Sequence, residues 1–125
     1  MARIFLVLAA VLGGLAVAGG AFGAHALRGQ LAARSLEIFE TGIRYQMYHA
    51  LGLLAIALLL LQRPDSSSLL TVAGWAFVGG VLIFSGSLYG LSLSGIKWLG
   101  AITPLGGVAL IGGWICLAIA ALSVK

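Results

Sequence analysis

The sequence predicts an all-α integral membrane protein. We expect a four-helix bundle whose first two spans are joined by a short interfacial helix or by a helical extension of the second span. Composition is the first ground. Of 125 residues, 62% are hydrophobic and only 8% charged, against about 25% charged in an ordinary soluble domain. Seven basic and three acidic side chains are too few to coat a soluble globule. The mean hydropathy of +1.16 also excludes a disordered chain, which needs low hydrophobicity. The second ground is placement, because the charges are confined to a few points and leave long uncharged runs between them. Third, the net charge of +4 comes from scattered residues (Arg3, Arg28, Arg34, Arg44, Arg63, Lys97, Lys125). Nucleic-acid binders gather such residues on one face, so no nucleic-acid partner is expected.

A spanning helix needs about 20 mostly apolar residues. Ile4 to Ala24 has no polar side chain, Ser66 to Ile96 no charge, and Trp98 to Val124 no charge either. These runs give spans at about 4–24, 70–92 and 99–122. Residues 50–61 are intensely apolar but short, so the remaining span is taken back to 44–62, with Arg44, Gln46 and His49 in its first turns near one membrane face. The whole chain, 1–125, reads as one transmembrane domain.

The links follow from turn chemistry. Gln62 to Ser68 contains Pro64, which cannot continue a helix, together with aspartate and serines that favour turns and caps. Ser94-Gly95-Ile96-Lys97 is a tight turn. The first link, about His25 to Ile43, is longer and carries most of the charge. Within it Leu36, Phe39 and Ile43 fall at helical spacing.

Met1-Ala2-Arg3 before an apolar run has the outline of a secretory signal, but the run is too long for a signal core, and an uncleaved first span is expected. Arg3 abuts that span, which favours both termini in the cytoplasm, although the other basic residues divide almost evenly between the two sides. Cys116, the one cysteine, lies in the last apolar run and reads as a packing residue.

Threading the chain through the membrane brings the uncharged polar groups into one half. His25 leaves the first span there, and Tyr45, Gln46 and His49 open the second. Ser85, Ser87, Tyr89 and Ser92 close the third span, and Thr103-Pro104 begins the fourth. Ser85, Tyr89 and Ser92 share a face, and Tyr45 and His49 lie one turn apart. Polar groups at this depth face the bundle interior or a wet cavity.

Two readings of the cluster stay open. In one it is a hydrogen-bond network: His25 caps the end of the first span, while Gln46 and His49 bond serine hydroxyls and the carbonyls freed by Pro104. In the other, a pocket around His25, Gln46 and His49 handles a small ligand, a lipid headgroup or protons. His25, His49, Glu37 and Glu40 are chemically able to bind a metal, but no tight ligand spacing joins them, and neither a metal nor a cofactor is expected. No serine–histidine–acid arrangement points to catalysis.

The 19 glycines would destabilise a soluble helical protein by about 1 kcal/mol each. In lipid they let helix backbones approach closely. Gly19 with Gly23 and Gly86 with Gly90 form the expected packing pairs.

Four blocks carry a resemblance: Gly20-Ala21-Phe22-Gly23-Ala24-His25; Thr41-Gly42 with Tyr45-Gln46 and His49; Phe84-Ser85-Gly86-Ser87-Leu88-Tyr89; and Thr103-Pro104 with Gly106-Gly107. In this order and spacing the chain resembles the YgdD/YwdK-like family of small inner-membrane proteins, which has a eukaryotic transmembrane relative. The resemblance implies four spans and a multi-pass location, and it supplies no activity. The functional expectation is a non-enzymatic accessory, stabilising or partner-binding bundle. Its surroundings are the lipid bilayer, and its partner class is another membrane protein or a second copy of itself. The alternative is a small transport protein using the polar pocket.

Overall fold

The computed structural model describes residues 1–124, with the side chains of residues 66 and 67 left aside. The described residues form four long helices: α1 Ala2–Phe22, α2 Ala33–Gln62, α3 Ser67–Ser94 and α4 Leu99–Ala121. All four are long and apolar enough to cross a membrane. α1 runs into a π-helical turn, Gly23–Leu27, and a 3₁₀ turn, Pro64–Ser66, links α2 to α3. Lys125, counted above among the flanking charges, lies outside the described residues.

Of the two forms open for the first link, the helical extension is the one observed. α2 is continuous over 30 residues, about 45 Å at 1.5 Å per residue, which exceeds a hydrocarbon core of about 30 Å. Its first turns, carrying Arg34, Glu37 and Glu40, therefore stand beyond the membrane. No proline interrupts it, and the stripe of Leu36, Phe39 and Ile43 runs directly on into Gln46 and Ala50, so nothing ends the helix before the span begins.

Two glycines sit where the backbone demands them. Gly29, at φ +90°, turns the chain after Leu27, whose carbonyl accepts from the Gln30 and Leu31 amides at 3.0 and 3.1 Å. Gly95, at φ +73°, ends α3 and donates to the Leu91 carbonyl at 2.9 Å, the usual left-handed helix stop.

Helices that are adjacent in sequence pack against each other, with α2 and α3 as the central pair and α1 and α4 outside them. Over the most apolar part of each helix, 44% of α2 and 39% of α3 residues are buried, against 17% for α1 and for α4. Phe5, Leu53, Ile56, Ala57, Ala73 and Phe77 are fully buried. They form an apolar core in the half of the bundle that holds the N-terminus, and the polar residues occupy the other half. Cys116 packs half-buried against that core.

Glycine supplies the close approaches, though at positions other than half of those expected. Gly19 and Gly23 do meet α2: a Cβ on Gly19 would lie 2.7 Å from Ile43 Cδ1, and one on Gly23 would lie 3.0 Å from the Phe39 ring. Gly86 faces open space, however, and Gly90 meets only the Leu99 side chain. The tight α3–α4 seam is built instead from Gly80, Gly106 and Gly113. A Cβ on Gly106 would collide with the Phe84 backbone, one on Gly80 would lie 3.2 Å from the Gly106 carbonyl oxygen, and one on Gly113 would lie 2.6 Å from the Phe77 ring. Spacing identified small faces without telling which face meets a neighbour.

Gly106→Ala should therefore destabilise the protein by about 1–3 kcal/mol, the usual cost of overpacking. Gly112→Ala, where a Cβ meets nothing, should stay within about 0.5 kcal/mol of wild type. Reversible unfolding in mixed micelles measures both.

Candidate functional site

The polar half of the bundle is organised around two side chains of α2, Gln46 and His49, which are 6% and 5% exposed. They stand less than one turn apart, and each reaches a different pair of neighbours. Gln46 Nε2 donates to the Leu12 carbonyl of α1 at 2.8 Å, and its Oε1 accepts from the Tyr89 hydroxyl of α3 at 2.7 Å. One amide thus ties three helices. Gly42 makes this possible, because a Cβ there would lie 2.6 Å from the Tyr89 ring and block its path to Gln46. The Gly42 carbonyl also accepts from Ser85 Oγ at 2.7 Å.

His49 attaches α4. Trp114 Nε1 donates to His49 Nε2 at 2.9 Å. An indole N–H can only donate, so Nε2 is the unprotonated nitrogen and Nδ1 carries the hydrogen, which it gives to the Tyr45 carbonyl at 2.7 Å. The ring is a neutral imidazole with both nitrogens engaged. Phe77 and Trp114 enclose it edge-on, at centroid distances of 5.1 and 5.7 Å.

A second link to α4, this one from α3, joins Ser87 Oγ to Thr103 Oγ1 at 2.6 Å, and Ser87 Oγ also lies 2.9 Å from the Phe84 carbonyl. Thr103 donating to Ser87, and Ser87 to the carbonyl, satisfies both hydroxyls. Ser92 bonds the Tyr89 carbonyl of its own helix. Among the described residues no buried side-chain nitrogen or oxygen lacks a partner.

Of the residues predicted from sequence, Gln46, His49, Ser85, Ser87, Tyr89 and Thr103 are brought into this network. Tyr45 is not: its ring stacks on Phe84 at 4.6 Å and is 38% exposed, and its hydroxyl has no partner among the described residues. His25 lies in the π-helical turn, exposed, with no side-chain hydrogen bond among the described residues. It neither caps α1 nor meets Gln46 or His49. Nor do the latter two bond serine hydroxyls or the carbonyls freed by Pro104: their hydrogen bonds go to Leu12 and Tyr89 and to Tyr45 and Trp114.

Sequence reasoning missed Trp114. The available signal was an indole N–H far along an apolar span, since a tryptophan in such a place usually finds an acceptor.

Two open grooves flank the network. One lies between α1 and α3 over α2, about 410 Å³ in volume, lined by Leu15, Gly19, Ile43, Leu82, Gly86 and others. The other lies between α2 and α4 over α3, about 570 Å³, lined by Tyr45, Tyr48, Phe84, Ile111 and Trp114 among others. Gln46 lines the first and His49 the second. The single pocket expected around His25, Gln46 and His49 is thus not assembled.

A family described as a protein of unknown function, DUF423, matches residues 19–107, a stretch that contains all four of the motif blocks. The chain belongs to the DUF423 family. DUF423 relatives match nearly end to end. The UPF0382 membrane protein YwdK of Bacillus subtilis is 49% identical over 119 residues, covering 95% of this chain and 96% of its own. A UPF0382 membrane protein of Staphylococcus epidermidis is 47% identical over 96% of both chains, and one from Staphylococcus saprophyticus is 45% identical over 94% and 95%. The YwdK-like resemblance and the multi-pass membrane character are thereby shown. No solved structure matches the chain.

The network makes a graded prediction for this DUF423 protein. Gln46→Leu, which loses two interhelical bonds, should cost about 1–3 kcal/mol. Tyr45→Phe and His25→Ala should stay within about 0.5 kcal/mol in lipid-free mixed micelles. A double-mutant cycle on His49 and Trp114 should return a coupling of about 0.6 kcal/mol, typical of interhelical bonds in membrane proteins.

Proposed function

We propose that this protein is a non-enzymatic accessory bundle of the bacterial cytoplasmic membrane, one that packs against a helix of another membrane protein or of a second copy. Its termini lie on the cytoplasmic side, and the polar cluster serves to hold its own helices in register. The groove between α1 and α3 carries this reading. Its walls are apolar, its floor is already hydrogen-bonded, and Gly86 at its edge leaves backbone open where a Cβ would meet nothing. Gly79 lies two turns earlier on the same side of α3, also with free space. Small residues beside a groove allow a further helix to come close enough for dispersion to hold it. The transport alternative gains no comparable support, because Gln46 and His49 look into different grooves and each is already hydrogen-bonded to neighbouring residues.

A photo-crosslinking residue at position 82, on the rim of this groove, should give one discrete protein adduct in native membranes. Gly86→Trp should abolish the adduct while leaving micellar stability intact. A chain that yields only lipid adducts and runs as a monomer in mild detergent would overturn the proposal.

A further inference from the structure

We infer that the second groove, between α2 and α4, is a binding site for an anionic phospholipid of the leaflet nearest the α1–α2 link. The groove of about 570 Å³ opens sideways from the bundle. Ile111 and Tyr48 at its rim are 62% and 53% exposed, on helices that cross the bilayer, so its contents come from the bilayer. Along the membrane normal its chemistry is layered. The deep part is apolar, built by Leu110 and Ile111, and the Trp114 indole N–H is already committed to His49. Towards the interface stand the hydroxyls of Tyr45 and Tyr48, neither with a partner among the described residues. The two rings lie tilted against each other at 5.7 Å, and Tyr45 stacks on Phe84 at 4.6 Å.

Above them stands a cation. Thr41, Tyr45 and Tyr48 recur at i, i+4, i+7 and share one face of α2. Arg44 Nη2 donates to Thr41 Oγ1 at 3.2 Å, which draws the guanidinium towards that face and towards the interface. Its remaining donors face no carboxylate, since the ion pair found among the described residues is Arg34–Glu37. A guanidinium at this depth suits a phosphate, which it can bind through two parallel N–H groups.

Cation, phenols and apolar trough thus follow the order of phosphate, ester carbonyls and acyl chain in a phospholipid. A partner helix would satisfy the trough but present no anion at the level of Arg44. The side itself carries Arg28, Arg34, Arg44 and Lys97 against Glu37 and Glu40, an excess of positive charge that favours an anionic over a zwitterionic headgroup.

Native mass spectrometry of the detergent-purified protein, with equal amounts of phosphatidylglycerol and phosphatidylcholine added, tests this site. The expected result is preferential retention of one phosphatidylglycerol. Arg44→Gln should weaken it about fivefold, the effect of about 1 kcal/mol for one basic residue at a membrane surface. Ile111→Trp, which fills the trough, should remove retention of both lipids, and Arg34→Gln on the same side, where Glu37 already offsets the charge, should weaken retention less than Arg44→Gln. Equal retention of the two lipids, or retention that neither Arg44→Gln nor Ile111→Trp lowers in a protein of unchanged helicity, would overturn the inference. The Arg44 substitution is on an exposed side chain, so its result does not depend on repacking the bundle.

Discussion

Gln46 is the residue on which the arrangement of the helices turns. Inside a bilayer, helices gain no hydrophobic drive from associating, because lipid tails are as apolar as leucine. What distinguishes one arrangement of apolar helices from another is therefore close packing and the few polar groups that must find partners without water. Gln46 bonds α1 through the Leu12 carbonyl and α3 through the Tyr89 hydroxyl. Any rotation of α1 or α3 by one residue would leave a buried amide or phenol unmatched. Three residues on, His49 performs the same service for α4 through Trp114. All four helices are tied through a single turn of α2.

The glycines fit around those bonds. Gly42 opens the path by which Tyr89 reaches Gln46, and Gly52 accommodates both Phe77 and Trp114 beside His49. In the seam between α3 and α4, Gly80, Gly106 and Gly113 let the two helices touch along their length. The bundle consequently has two unlike halves: a dry apolar end around Phe5, Leu53 and Phe77, and an end where a bonded polar interior is flanked by two lipid-facing grooves. These grooves differ in chemistry. One is bordered by bare backbone at Gly86 and the other by the Tyr45 and Tyr48 phenols, and that difference is why we propose a protein helix for the first and a lipid for the second.

Much of this was legible in the residues. The confinement of charge to the ends and links pointed to four helices able to span a membrane, although α2 begins at Ala33 rather than near residue 44, and the polar half of the membrane followed from counting which ends of the spans meet. Of the residues singled out for the cluster, Gln46, His49, Ser85, Ser87, Tyr89 and Thr103 entered the network. What escaped was every statement about which partner a residue meets. Helical spacing says that Ser85 and Tyr89 share a face; it does not say that Ser85 bonds a carbonyl of α2 while Tyr89 reaches its amide. Gly86 and Gly90 have the same spacing as Gly19 and Gly23, yet only the latter pair meets another helix over both residues. His25 leaves the first span on the same side as the cluster, but the π-helical turn leaves it exposed. Trp114 was overlooked because a lone tryptophan in an apolar span resembles lipid-facing bulk.

The central claim, that the polar interior is a closed network of interhelical bonds, can be read most directly at His49. In protein reconstituted into bilayers, with His25→Gln leaving one histidine, solid-state ¹⁵N spectra should show a neutral ring. Nδ1 should be protonated, Nε2 should carry the shift of a nitrogen accepting a hydrogen bond, and neither should show magnetisation transfer from water. A ring protonated at Nε2, a charged imidazolium at neutral pH, or strong transfer from water would contradict the account.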